Sequence, residues 1–164
     1  MPTETPALRT VTLQLPWPIS TNAYLRHCEI PVGKGLTPCP RCHKRPSRVV
    51  TLISQEGREY LKAVGRVLFA AGIPHMAGPL SVEIRLFPPD RREIDPDNRI
   101  KPLLDALKPR PKDADQLAWL FAKDDSQVEF VSARREHKIV PGGACTVTVT
   151  QLPVDQLALF AEER

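Results

Sequence analysis

One join in the chain constrains its fold more than any other. Leu80, Val82, Ile84 and Leu86 alternate with polar neighbours as a half-buried strand does, and Pro88-Pro89 stops the run. The stretch EIDPDNRIKPLLDAL follows at once, from Glu93 to Leu107. Within it Ile100, Leu103, Leu104 and Leu107 recur at the spacing of one helix face, and Lys108-Pro109 ends the run. A strand therefore delivers the chain directly to Asp95, Asp97 and Asn98, and a helix carries it away.

The remaining pattern fits around this join. VTLQL alternates through Val11, Leu13 and Leu15 before Pro16-Trp17-Pro18 breaks it. Leu61, Val64, Leu68 and Ala71 share one helical face, with Ser54 as N-cap and Gly72 and Pro74 as the stop. Val128, Phe130 and Ser132 alternate, Pro141-Gly142-Gly143 turns, and Cys145, Val147 and Val149 alternate again. AWLFAK, ahead of Asp124, is read as a short helix. The order β-α-β-α-β-β predicts an α+β domain: a single mixed sheet with two main helices packed on it. Its first βαβ unit is expected to be parallel and its last two strands an antiparallel hairpin.

With 164 residues, 41% hydrophobic and 26% charged, the chain suits one compact domain. No apolar run approaches the roughly 20 residues that span a bilayer. The start, MPTETPALRT, lacks a basic patch followed by an apolar stretch, so a cytoplasmic location is expected, with the four cysteines reduced. The net charge is +4; the last fourteen residues carry −2, which leaves +6 on the body and suits a polyanionic partner. The domain is expected over residues 1–153, with 154–164 as a tail. Residues 28–48, CEIPVGKGLTPCPRCHKRPSR apart from its few apolar positions, read as a Cys-rich insertion too polar for its own core.

Two readings of the aspartates are open from the residues alone. Asp95 can cap the helix with Pro96 at its first position and Asp97 favoured by the helix dipole. Lys101 can then sit in a surface ion-pair row with Asp97 and Asp105. Alternatively the carboxylates bind a metal. Pro102 favours the second reading, because a helix starting at Pro96 would bury a residue without an N–H too deep in it; a start nearer Asn98 leaves both aspartates on the connection. Asp124 and Asp125 add carboxylates at the next strand. Converging carboxylates repel unless a cation neutralises them. Oxygen ligands without histidine suit Mg²⁺ or Mn²⁺, which activate water in phosphodiester hydrolysis, and Lys101 could hold a phosphate.

DPDNRIKPLLDAL followed by DDSQV resembles the signature of RusA-type Holliday junction resolvases, in which Asp-x-Asp-Asn opens a helix bearing a lysine and Asp-Asp-x-Gln-Val opens a strand. LPWPISTNAYLRH and SQEGREYLKAV resemble that family's opening strand, loop and first helix. The likeness spans about residues 11–27 and 50–150. It implies a homodimeric, Mg²⁺-dependent crossover junction endonuclease acting in recombination and repair. By position, Asp95, Asp97 and Asp125 match the family's catalytic metal-binding acids, Lys101 matches its catalytic lysine, and Asp124 stands beside them. Pro102 and a longer link between Leu107 and Asp124 depart from the family pattern.

Three further features are read on their own chemistry. Arg91, Arg92, Arg134, Arg135 and Lys138 are candidate DNA contacts, as are Asn22 and Arg26, which match a family loop. Cys39 and Cys42, with His43 and Cys28, are candidate ligands of a structural Zn²⁺. QLALF resembles the peptide by which bacterial DNA-processing enzymes dock on the replicative sliding clamp, through Gln156, Leu157, Leu159 and Phe160. Competing functions are a non-catalytic branched-DNA adaptor recruited to the clamp and a metal nuclease for flaps or RNA.

Overall fold

The computed structural model describes residues 9–32, 37–43, 47–110 and 116–153. The elements, in order, are β1 (Thr10–Pro16), α1 (Thr21–Tyr24), β2 (Leu25–Pro31), β3 (Ser47–Ile53), α2 (Gln55–Ala71), β4 (Leu80–Phe87), α3 (Ile100–Leu107), β5 (Val128–Arg135) and β6 (Ala144–Gln151). The main sheet runs β1-β6-β4-β5, and β2 and β3 form a separate two-stranded ribbon. The expected α+β class, with a main mixed sheet and helices on it, is the observed one.

Alternation decides which face is covered. Leu13 and Leu15 of β1, Leu80, Val82, Ile84 and Leu86 of β4, and Cys145, Val147 and Val149 of β6 are all buried. They pack against Tyr60, Leu61, Val64 and Leu68 of α2 and Leu103, Ala106 and Leu107 of α3 in one continuous core. The other face is polar: Thr10 meets Thr150, and Thr12 meets Thr148, each hydroxyl pair at 3.1 Å. Ser54 caps α2 by accepting from the Gly57 N–H at 2.9 Å. Gly72 ends it in the left-handed conformation, φ 59°.

Strand order departs from expectation at the carboxyl end. β6 pairs antiparallel with β1 on one side and β4 on the other, and β5 pairs parallel with β4, so β5 and β6 are not a hairpin. The link between them steps over the end of β4: Glu136 N–H donates to the Leu86 carbonyl at 2.8 Å and Val140 N–H to the Pro88 carbonyl at 3.0 Å. The Pro-Gly-Gly signal specifies a turn, not which strands flank it. β1 and β4 run the same way, with β6 between them.

Three local expectations are corrected. AWLFAK is irregular rather than helical: Phe121 bridges Met76, and the N–H groups of Leu120 and Phe121 donate to the Leu107 carbonyl at 2.8 and 3.0 Å. Burying Leu120 and Phe121 completely outweighs local helix propensity. Phe130 faces outward and is 59% exposed, because the pairing register of β5 shifts between Leu80 and Ser81; Val128 and Ala133 pack against the core, and Val131 stays 38% exposed on this edge strand. Residues 28–48 are not all loop, since β2 and β3 extend into both ends. Their burial does not alternate, so no period-2 signal announces them.

Gly143 sits at φ 73°, and a Cβ there would lie 2.7 Å from the Trp17 ring, whereas Gly142, at φ 79°, has open space around it. Gly143→Ala is expected to cost about 2 kcal/mol, measured by urea unfolding, and more than Gly142→Ala, which incurs only the backbone strain. Equal losses would mean that Trp17 yields without cost.

Candidate active site

The aspartate loop is built by a short 3-10 turn. Asp97–Arg99 form it, closed by the Arg99 N–H donating to the Pro96 carbonyl at 3.1 Å, and the regular helix α3 begins only at Ile100. Pro102 is thus the third residue of α3, in the first turn, where a missing N–H breaks no helical bond. Asp95 precedes both helical turns, as the proline predicts, and Asp97 precedes the α-helix. Neither carboxylate caps it, since the residue at its N-cap, Arg99, makes no capping hydrogen bond.

Neighbouring side chains fix this loop. Asn98 Nδ2 donates to Asp95 Oδ2 at 3.0 Å, and Thr21 Oγ1 of α1 donates to the Asn98 carbonyl at 3.0 Å. Arg99 donates to the Pro18 carbonyl at 2.6 Å and stacks over the Trp17 ring, 5.2 Å from its centroid. Asp95 and Asp97 touch through their side chains. That contact, with some loss of hydration and the Asp97 charge, raises the Asp95 pKa above its ordinary value.

A second cluster lies one turn along α3. Lys101 Nζ stands 2.9 Å from Asp105 Oδ1 and 3.8 Å from Asp125 Oδ2. Lys108 Nζ stands 2.7 Å from Asp105 Oδ1 and 3.2 Å from Asp125 Oδ2. Asp105 is buried, only 7% exposed, beneath both lysines. Burial pushes its pKa up, but the hydrogen bonds and charges of Lys108 and Lys101 outweigh that and hold the carboxyl below the usual range. Burial likewise opposes the Lys108 charge, and Asp105 and Asp125 reverse the effect and raise its pKa. Tyr24, buried at the end of α1, adds a hydrogen bond to Asp105; burial foremost, then Asp105, drives its pKa well up.

The sequence reading missed Lys108, Tyr24, Asn98 and Arg99 as site-forming residues, and set Asp105 in a surface ion-pair row although it is buried. The Lys101–Asp105 pair was legible from its i, i+4 spacing. What hid the rest is that Lys108 also marks the helix end, while Tyr24 and Arg99 meet the site only across the fold.

The DDSQV segment divides its work. Asp124 accepts from the Ser126 N–H at 2.9 Å and from the Ser126 hydroxyl, and these bonds hold its carboxyl below the usual range. It thereby caps the 3-10 turn Asp125–Gln127, which leaves Asp125 directed at the lysines. Gln127 is buried: its amide donates to the Met76 and Gly78 carbonyls at 3.1 and 2.9 Å and accepts from the Lys123 N–H at 2.6 Å.

The other candidates are spread more widely. Arg92 is tied to Asp90 at 2.6 Å, and Arg134 to Glu136 at 3.0 Å. Arg91, Arg135 and Lys138 are exposed around β4 and β5, and Asn22 and Arg26 are exposed on α1 and β2. Cys28 lies on β2, while Cys39, Cys42 and His43 lie on a turn closed by the His43 N–H donating to the Cys39 carbonyl at 2.8 Å. Hydrogen bonds from the Cys42 and Arg41 backbone, and then from the Cys42 side chain, lower the Cys39 pKa. Gln156, Leu157, Leu159 and Phe160 lie outside the described residues.

Among the described residues no three His, Cys, Asp or Glu side chains stand together as a metal cage. The Asp95–Asp97 pair nevertheless fits Mg²⁺ or Mn²⁺: hard oxygen donors in mutual contact call for a cation, and Mg²⁺ commonly takes one or two carboxylates and fills its shell with water and substrate phosphate. For zinc, the cysteine turn supplies only the adjacent pair Cys39 and Cys42.

Comparison with known proteins agrees with this architecture. The family profile described as "Endodeoxyribonuclease RusA" matches residues 35–150. Proteins named crossover junction endodeoxyribonuclease RusA from Escherichia coli strain K12 and from Shigella sonnei are each 30% identical over 146 residues, covering 88% of this chain and 98% of theirs. The protein of that name from Enterobacteria phage 82 matches to the same extent, 30% over 146 residues. No helix among the described residues is long and apolar enough to cross a membrane. With a matched profile over most of the domain and curated relatives aligned almost end to end, the chain belongs to the RusA family of endodeoxyribonucleases.

Proposed function

We propose that this protein resolves four-way DNA junctions by metal-assisted hydrolysis of a phosphodiester on each of two opposed strands, in recombination and repair. The observation that carries the reading is the Asp95–Asp97 carboxylate pair, set by a 3-10 turn at the head of the helix that carries Lys101. The names of the relatives supply the branched substrate.

Asp95 and Asp97 would hold Mg²⁺ or Mn²⁺; Asp125, here paired with Lys101 and Lys108 and not clustered with the other two, would have to turn from the lysines to join them as a third carboxylate. When bound, the metal would supply an activated water and charge compensation at the leaving oxygen. Asn98 orients Asp95 by donating to one of its oxygens, leaving the other directed at the ligand. Lys101 neutralises charge on the scissile phosphate. Lys108 and buried Asp105 hold Asp125 and Lys101 in register with each other. Cutting two opposed strands calls for two sites, hence a homodimer. The tail motif Gln156–Phe160 would bring this activity to a sliding clamp.

The test is cleavage of a synthetic four-way junction with Mg²⁺, beside linear duplex, flap and RNA substrates. Paired symmetric cuts in the junction alone, abolished by a chelator, are expected. Preference for flaps or RNA, or junction binding without cleavage, would replace this reading with one of its rivals.

A further inference from the structure

We propose that the β2–β3 ribbon is a basic arm that holds the phosphate backbone of duplex DNA beside the cleavage site. The inference rests on the DNA-cutting reading above and extends it to a surface outside the carboxylate site.

Charge is the first observation. Residues 25–53 contain six Arg or Lys and one Glu, a net +5, while the whole chain carries +4; everything outside the ribbon therefore sums to −1. The basic character of this protein is confined to one excursion, whereas basic residues elsewhere are balanced by acids. Positive charge concentrated in one stretch of sequence is the footprint of a polyanion site, and of these residues Arg26, Arg41 and Arg48 are among the described ones.

Register and pairing give the second. Arg26 lies opposite Leu52 and Ile30 opposite Arg48, so Arg26 and Arg48 share a ribbon face with Cys28 and Val50. Glu29, the sole acid, belongs to the other face, where it accepts from the Ser47 hydroxyl at 3.4 Å. Both arginines are exposed, and among the described residues neither meets an acidic partner. Arg85, Arg92 and Arg134, by contrast, are each bound to carboxylates.

The third is where the ribbon is rooted. Leu25 pairs with Ile53 at its base. Immediately before that base, Ser54 donates to the Ala23 carbonyl at 2.6 Å, and Thr21 donates to the carbonyl of Asn98 in the aspartate loop. Tyr24, between them, bonds Asp105. The arm thus springs from the border of the site, and seven residues of strand reach about 20 Å from it. DNA lying over Asp95 and Asp97 passes alongside. Guanidinium contacts to phosphates position a duplex without reading its sequence, as recognition of a branched shape requires.

The experiment is fluorescence anisotropy with a labelled four-way junction and a labelled linear duplex, without divalent metal, from about 50 to 200 mM salt. Arg26→Gln/Arg48→Gln is expected to weaken binding to both DNAs and to reduce the slope of log K against log salt by about 2. Arg26→Lys/Arg48→Lys is expected to retain most of the slope. An unchanged slope in the glutamine variant, or the same loss in the lysine variant, overturns the arm. A parent protein that binds with the expected slope but cuts no junction leaves the arm standing and removes the catalytic reading instead.

Discussion

Asp97→Asn should lower junction cleavage by about 10³-fold or more while leaving junction binding and the unfolding midpoint close to those of the parent. The size follows from what the carboxylate does: metal stabilisation of the reacting phosphate contributes several kcal/mol, and each 1.36 kcal/mol is a factor of ten in rate. Stability should hold because Asp97 is exposed and neither caps α3 nor joins the core. Removing one of the two neighbouring charges also relieves their repulsion, so any small shift of the midpoint in the absence of metal is expected upward. The measurement is single-turnover cleavage of a labelled junction across a Mg²⁺ titration, beside anisotropy binding. Activity within tenfold of the parent would remove Asp97 from the catalytic set.

Gln127→Leu is the largest expected loss of stability, about 3 kcal/mol by urea unfolding. Its side chain serves three backbone groups at once, the Met76 and Gly78 carbonyls and the Lys123 N–H. Leucine fills similar space and serves none. The Met76 carbonyl keeps the Ala122 N–H at 2.9 Å, but the part-buried Gly78 carbonyl and Lys123 N–H lose their side-chain partner, at about 1 kcal/mol each, and the buried Gln127 amide is lost with its fixed position. Gln127→Glu retains an acceptor for Lys123 and loses both donors, so its loss should be comparable or larger at neutral pH. Cleavage should fall along with stability in Gln127→Leu, because the turn that aims Asp125 ends on this residue. A variant as stable as the parent would mean that water replaces the amide.

Much of the site was legible locally. Pro102 located the true helix start, because a proline tolerates only the first turn, and so separated Asp95 and Asp97 from the helix proper. Lys101 and Asp105 followed from their spacing. The role of Lys108 was not legible, since its partner Asp125 lies 17 residues away in sequence. Nor was that of Gln127, whose partners Met76 and Gly78 lie some 50 residues back and are backbone atoms that no motif records.

The chain by itself determined its α+β class, the limits of β1, α2, β4 and β6, and the strand-to-helix join that carries the aspartates. Periodicity, caps and proline sterics act within a few residues, so sequence reports them directly. Only the tertiary structure decided that β6 inserts between β1 and β4, that a register shift turns Phe130 outward, and that AWLFAK stays non-helical against Leu107. Those outcomes are set by which distant backbone groups pair and which apolar side chains share a core. Strand pairing requires only complementary edges, and many partners satisfy the same local pattern until the whole core is packed.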